Sequence, residues 1–306
     1  MKIGIVGMGW VGASVASSIL HSGLATELLL DDAKPGLAEG EAMDLAQGAA
    51  FYPTASVRAA SIDEMLDADA VIIAAGKGGG PKDSRLDLLR VNATIVHGIA
   101  ERLSAMQGML VIVTNPVDVM TQVAAEASGL PLPRVIGTGT MLDTARLREA
   151  LGRTLDLEPR SIHAQVVGEH GDSSVVLWSG AQLGGVRLRA RPGWSREKEL
   201  EIAHEVRNAA YQIIAKKGST NHAIGLVTAA LLRWTLRGGG RRVLTISRVQ
   251  EGAAGIRDVA ISLPTIVGRT GAVEVIEPEM DAEEREALNR SVEVLRQAYR
   301  QARSKP

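Results

Sequence analysis

Residues 1–32 read MKIGIVGMGWVGASVASSILHSGLATELLLDD, and this stretch decides the fold. Lys2–Val6 is a short, β-branched apolar run that predicts a buried strand. Gly7, Gly9 and Gly12 follow at once as GMGWVG and open the helical stretch Ala13–Ser22. Strand, glycine turn and helix in that order form a phosphate cradle. Gly7 makes the tight turn, Gly9 leaves room for a pyrophosphate, and Gly12 lets helix and sheet pack closely. A second strand, Glu27–Leu30, ends in Asp31 and Asp32. An acid there accepts hydrogen bonds from ribose hydroxyls and repels the additional phosphate of NADP. Asp32 is the expected acceptor, with Asp31 a solvated neighbour, and NAD the expected cofactor.

Outward from this unit, further apolar runs at Val57–Ala60, Ala70–Ala75, Met109–Thr114 and Val135–Gly137 alternate with helical stretches such as Asp87–Leu103. Continuous apolar strands separated by helices predict a parallel sheet covered on both faces. The second half mixes short strands (His163–Val167, Val243–Ser247, Val259–Leu263) with long helices (Arg196–Lys217, Asn221–Thr235). Ala282–Ala302 carries Leu288, Val292, Leu295 and Tyr299 on one helical face, so it docks on the body. The expected fold is α/β: a Rossmann-type doubly wound parallel sheet in residues 1–140, an NAD-binding domain, followed by an α+β catalytic domain in residues 141–306.

Composition narrows the function. With 306 residues the chain can build two packed lobes or one large domain, and its 45% hydrophobic and 23% charged content is that of a globular protein. A net charge of −1 gives no field to attract nucleic acid or an anionic membrane. No cysteine is present, which excludes disulfides, thiolate metal sites and cysteine nucleophiles. No metal site is expected, and a rival reading as an NAD-dependent glycosidase loses its usual ligands. The opening strand leaves no signal-peptide layout, and the apolar runs are too short to span a bilayer, so a cytoplasmic location is expected.

Three segments carry candidate chemistry. In VTNPVD (residues 113–118), Asn115 stands at the end of a strand, where its amide can reach a ribose or a substrate, and Pro116 suggests a cis peptide. In MLDTARLR (residues 141–148), Asp143 and Arg146 share a helical face, while Arg148 points nearly opposite to Arg146. In VGEHGDS (residues 167–173), His170 follows a strand beside glycine and acids, where a carboxylate partner can move its pKa.

Together with KGSTNHAIG (residues 217–225), these motifs resemble the L-lactate/malate dehydrogenase superfamily in order and spacing over essentially the whole chain. LDTARLR, GEHGDSS and LPTIVGRTG are most similar to its bacterial, NAD-dependent L-lactate dehydrogenase branch. The resemblance implies that His170 is the acid–base catalyst, that Asp143 orients it, and that Arg146 holds the substrate carboxylate. It further implies that Arg85 comes down on a mobile loop to polarise the carbonyl and that Thr220 lines the pocket. A complete set of this kind counts against a non-catalytic nucleotide-binding protein.

Malate dehydrogenases of the superfamily carry an arginine six residues before the loop arginine, and lactate dehydrogenases usually a glutamine. This chain has Gly79. Enclosing a second carboxylate without a partner costs about 3–5 kcal/mol, or discrimination of about a hundredfold and more. Pyruvate and lactate are therefore the expected 2-oxo and 2-hydroxy acid pair, ahead of broad 2-hydroxy acid use and then malate. Lys77 and Lys82 are the candidate substitute cations, and Gly78–Gly80 make the loop harder to order. Arg148 and His163 match two positions that bind fructose 1,6-bisphosphate between subunits of allosteric relatives, which implies a homotetramer.

Overall fold

The computed structural model describes residues 1–79, 84–237 and 241–304. Six strands build its centre: β1 (Lys2–Val6), β2 (Glu27–Asp31), β3 (Ser56–Ala59), β4 (Ala70–Ile73), β5 (Met109–Ile112) and β6 (Val135–Gly137). They run parallel in the order β6-β5-β4-β1-β2-β3. The order reverses beside β1, and the crevice beyond the carboxyl ends at such a point is where open α/β sheets bind ligands. The intervening helices are α1 (Trp10–His21), α2 (Leu37–Gln47), α3 (Arg85–Arg102) and α4 (Val117–Ser128).

Alternation along the strands explains the two covered faces. Ile3, Ile5, Leu28, Leu30, Ala70 and Ile72 pack under α1 and α2. Leu29, Val71, Ile73, Leu110 and Ile112 point the other way, under α3 and α4. Both sets are buried, so the strands read as apolar throughout.

Past β6 the chain enters α5 (Met141–Leu155), then the two-residue strands β7 (Ile162–His163), β8 (Val166–Val167), β9 (Val175–Val176), β10 (Gln182–Leu183) and β11 (Val186–Arg187). Next come α6 (Arg196–Lys217), α7 (His222–Leu236), β12 (Arg242–Glu251), β13 (Arg257–Gly268), β14 (Gly271–Val275) and α8 (Ala282–Arg303). A third core, including Leu147, Ile162, Trp178 and Ile202, lies between α5, α6 and the short strands. The last helix docks through Leu288, Val292 and Leu295, as its stripe predicts.

One expectation changes. The strand predicted at His163–Val167 is two strands in different sheets, because His163 pairs with Gln182 whereas Val166 pairs with Val176. β12, β13 and β14 continue the first sheet as antiparallel neighbours, joined to β6 through the Ser247–Gly137 pair. β14 escapes the sequence reading altogether. No described helix is long and apolar enough to cross a membrane.

Candidate active site

The glycine turn has the geometry its motif predicts. Gly7 adopts φ +100°, and a Cβ there would lie 2.3 Å from Ala75 N, so the left-handed turn and the close approach both require glycine. A Cβ at Gly12 would strike Gly7 O at 1.9 Å, which seats α1 directly on the turn. Gly9 faces open space. No acidic residue and no side-chain cap occupies the first turn of α1, leaving its N–H groups to meet an anion. Asp32 accepts from Met8 N–H at 2.6 Å and from Lys34 N–H at 2.8 Å. Those two bonds fix the carboxylate yet leave lone pairs for a ribose. Asp31 is not the solvated neighbour expected of it: it is half-buried as the last residue of β2, and burial raises its carboxyl pKa. The open cradle, bare helix terminus and fixed acid fit a dinucleotide.

His170 lies three residues past β8. Gly168, at φ +88°, exchanges two main-chain hydrogen bonds with Ser262 of β13, which anchors the turn that presents the histidine. The His170 Nδ1 meets Asp143 Oδ2 at 2.5 Å, and Arg146 Nη1 donates to Asp143 Oδ1 at 3.0 Å. His170 Nε2 has no hydrogen-bond partner among the described residues, so it is the nitrogen left for chemistry. The His170 main-chain N–H donates to Asp118 Oδ2 at 2.7 Å. Burial disfavours the His170 imidazolium, but Asp143, by charge and hydrogen bond, holds its pKa above the ordinary value. Burial likewise opposes the Asp143 carboxylate, and His170 and Arg146 keep its pKa low.

Asn115 follows β5, and its peptide bond to Pro116 is cis. Its carbonyl accepts from the buried Asn92 Nδ2 at 3.0 Å, while Asn92 Oδ1 takes Lys77 N–H at 2.7 Å. Asn92 thus ties α3 to both the Asn115 turn and the segment after β4. Thr220 is half-buried between α6 and α7, in a link bound to α1 by Asn221 Nδ2 donating to Ser14 Oγ at 2.8 Å.

Arg85 is the first residue of α3 rather than part of a loop, because Ser84 caps that helix by accepting from Asp87 N–H at 3.0 Å. Its guanidinium acts on the Tyr211 hydroxyl, which donates to Asp172 Oδ1 at 2.9 Å. Gly79 is exposed, and a Cβ on it would press on Leu88 Cδ1 at 2.9 Å. Lys82 and Gly80 lie outside the described residues.

Arg148 leaves α5 on another side from Arg146, its Nε donating to Ala164 O at 3.1 Å. With His163, Gln165, Gln182 and Glu279 it lines a cavity of about 400 Å³. No group of three or more His, Asp or Glu side chains among the described residues is placed to hold a metal. Asp118 and Asn92 were missed by the sequence reading. Asp118 was visible inside VTNPVD, but its partner is 52 residues away.

Residues 1–137 match the NAD binding domain of lactate/malate dehydrogenase, and residues 140–305 match the alpha/beta C-terminal domain of the same family. The chain belongs to the lactate/malate dehydrogenase family. Within that family it is 42% identical over 302 residues to the L-lactate dehydrogenase of Geobacillus kaustophilus, covering 96% of this chain and 95% of that protein. It is 42% identical over 305 residues to the enzyme of the same name from Thermus aquaticus, covering 97% and 98%. The minor L-lactate dehydrogenase of Enterococcus mundtii superposes with a TM-score of 0.95 at 36% identity over 99% of both chains. This lactate/malate dehydrogenase is therefore an NAD-dependent L-2-hydroxy acid dehydrogenase of the lactate type.

Proposed function

We propose that the protein is an NAD-dependent L-lactate dehydrogenase that interconverts pyruvate and L-lactate, with the NAD-binding role in residues 1–140 and the substrate role in residues 141–306. The observation that carries the chemistry is the pairing of His170 with the buried Asp143, beside Arg146. NAD, when bound against the glycine turn and Asp32, supplies or takes up the hydride. His170 donates a proton from Nε2 to the pyruvate carbonyl oxygen and removes it from the lactate hydroxyl in reverse. Asp143 holds the ring and stabilises its charge. Arg146 presents its planar fork to the substrate carboxylate. Arg85 swings from Tyr211 to stabilise the developing oxyanion. Asn115 orients the reacting groups, and Thr220 lines the pocket. A raised His170 pKa means that pyruvate reduction declines as pH rises through that value, whereas lactate oxidation gains.

Gly79 supports pyruvate over oxaloacetate, since it offers no cation to a second carboxylate. The test is NADH oxidation by the purified protein with each 2-oxo acid. A preference for pyruvate of about a hundredfold supports the reading, on the cost of an unpartnered enclosed carboxylate. A preference for oxaloacetate overturns it and assigns the missing charge to a lysine of the segment.

The finer reading is a cytoplasmic homotetramer activated by fructose 1,6-bisphosphate. Arg148 and His163 line one cavity, two donors suited to a phosphate, and Trp10 and Leu226 leave an apolar face exposed for a second copy. Light scattering and pyruvate titration with and without the sugar bisphosphate test both points. An unchanged response at low pyruvate overturns the effector site, and a monomer overturns the assembly.

A further inference from the structure

We infer that Asp118 is a positioning residue for His170, holding the histidine's main chain and setting the proton affinity of its imidazole from the opposite half of the molecule. The inference rests on the catalytic role of His170 given above.

Asp118 is the second residue of α4 and is 2% exposed. One oxygen, Oδ2, takes the His170 main-chain N–H at 2.7 Å. The other, Oδ1, is fully buried without a well-formed hydrogen bond, and the equally buried Ser247 hydroxyl on the neighbouring β12 lies close enough to favour the carboxylate. A buried carboxylate this sparsely bonded is unfavourable, and burial pushes the Asp118 carboxyl up to about 6 against the Ser247 hydroxyl and the His170 N–H, which favour its charged form. An asparagine would accept the same N–H without that penalty. What the acid adds is charge.

The charge acts on few groups. His170 and Glu169, from the turn after β8, face Asp118. Asp143 and Arg146 of α5 face His170 together with Asp118. Asp143 and Asp118 act to hold the proton on His170 and Arg146 acts against it, while Glu169, which takes the N–H and hydroxyl of Ser173, acts on Asp118. Neutralising Asp118 removes one of the two carboxylates that hold the proton on His170, so the imidazolium releases it more readily. Grip and charge are separable, because an amide keeps an acceptor for the N–H while losing the field.

The experiment compares the full-length wild type with Asp118→Asn, Asp118→Ser and Asp118→Ala. It follows pyruvate reduction across pH, the NMR titration of His170, and NADH binding by fluorescence. Asp118→Asn should bind NADH like the wild type and move the alkaline limb of kcat/KM, and the His170 titration, to lower pH. Its kcat should stay near wild type at acid pH, where the imidazole is protonated in both. Asp118→Ala also loses the grip and should fall about ten- to hundredfold in kcat/KM at every pH, the range for a hydrogen bond to a charged group. Asp118→Ser, a second neutral variant, must show the same titration shift and replaces Asp118→Asn if that protein does not fold. A neutral variant whose His170 titrates as in the wild type overturns the inference. A wild type that turns over no 2-oxo acid overturns the functional reading instead, and the NMR titration still reads the link between Asp118 and His170.

Discussion

The two arginines assigned to substrate sit in opposite settings. Arg146 is largely buried, on a helix, and already paired to Asp143, which in turn holds His170. Arg85 is exposed at the head of α3, against Tyr211, next to a glycine-rich segment. The first setting is preorganised: its charges are in place before any substrate arrives, so little rearrangement is needed when the proton moves. On the proposed roles, the second is ordered by the substrate itself, and that ordering draws on binding energy. On that proposal, proton chemistry is built into the resting protein, while polarisation of the carbonyl waits for the ligand.

The largest effect that can break this contrast is at His170. His170→Gln removes the proton donor and should lower kcat for pyruvate reduction about a thousandfold, with NADH affinity retained in a fluorescence titration. A loss of only a few fold would show that the preorganised cluster is not where the proton comes from. Arg85→Gln should lower kcat about a hundredfold and leave the His170 titration in place, since Arg85 stands outside that cluster. A shifted His170 titration in this variant would join the two regions that the contrast separates.

Stability gives a third test. The folded chain holds the Asp118 proton between pH 3.8 and about 6, where the unfolded chain has released it. Stability therefore falls as pH rises through that window, by about 3 kcal/mol at ~1.36 kcal/mol per pH unit. Asp118→Asn should accordingly unfold at higher urea than the wild type at pH 7, with the difference vanishing toward pH 4. Equal midpoints at both values would show that the buried acid carries no such penalty. The smallest effect belongs to Asn92→Ala, which unties Lys77 from the Asn115 turn and should raise KM more than it lowers kcat, about tenfold in the ratio. An equal fall in kcat would place Asn92 with the preorganised cluster.

Legibility followed the range of the interaction. Gly7 and Gly12 were readable because a Cβ at either would strike main-chain atoms, whereas Gly9, where a Cβ would meet open space, was readable only from the spacing of the motif. Asp143 and Arg146 were readable as a pair because helical spacing puts them on one face, and their 3.0 Å contact follows. Asp118 and Asn92 were not, since their partners lie 52 and 23 residues away and no local pattern announces them. That the two halves share one sheet was not legible, for a related reason. Whether β12–β14 pair among themselves or add to an existing edge depends on β6, a neighbour far away in sequence. Arg85 was expected on a loop, but the cap at Ser84 puts it on a helix.

The Ser247–Gly137 rung, where the two halves share a sheet, also fixes how this chain tolerates recombination. A chimera spliced between residues 137 and 140 takes the acid at 118 from one parent and the histidine at 170 and the hydroxyl at 247 from the other. Such a crossover leaves every motif intact and still separates residues that meet only across the junction. Shuffled descendants of this enzyme would be sorted by the fit of that seam, not by the length of any linker.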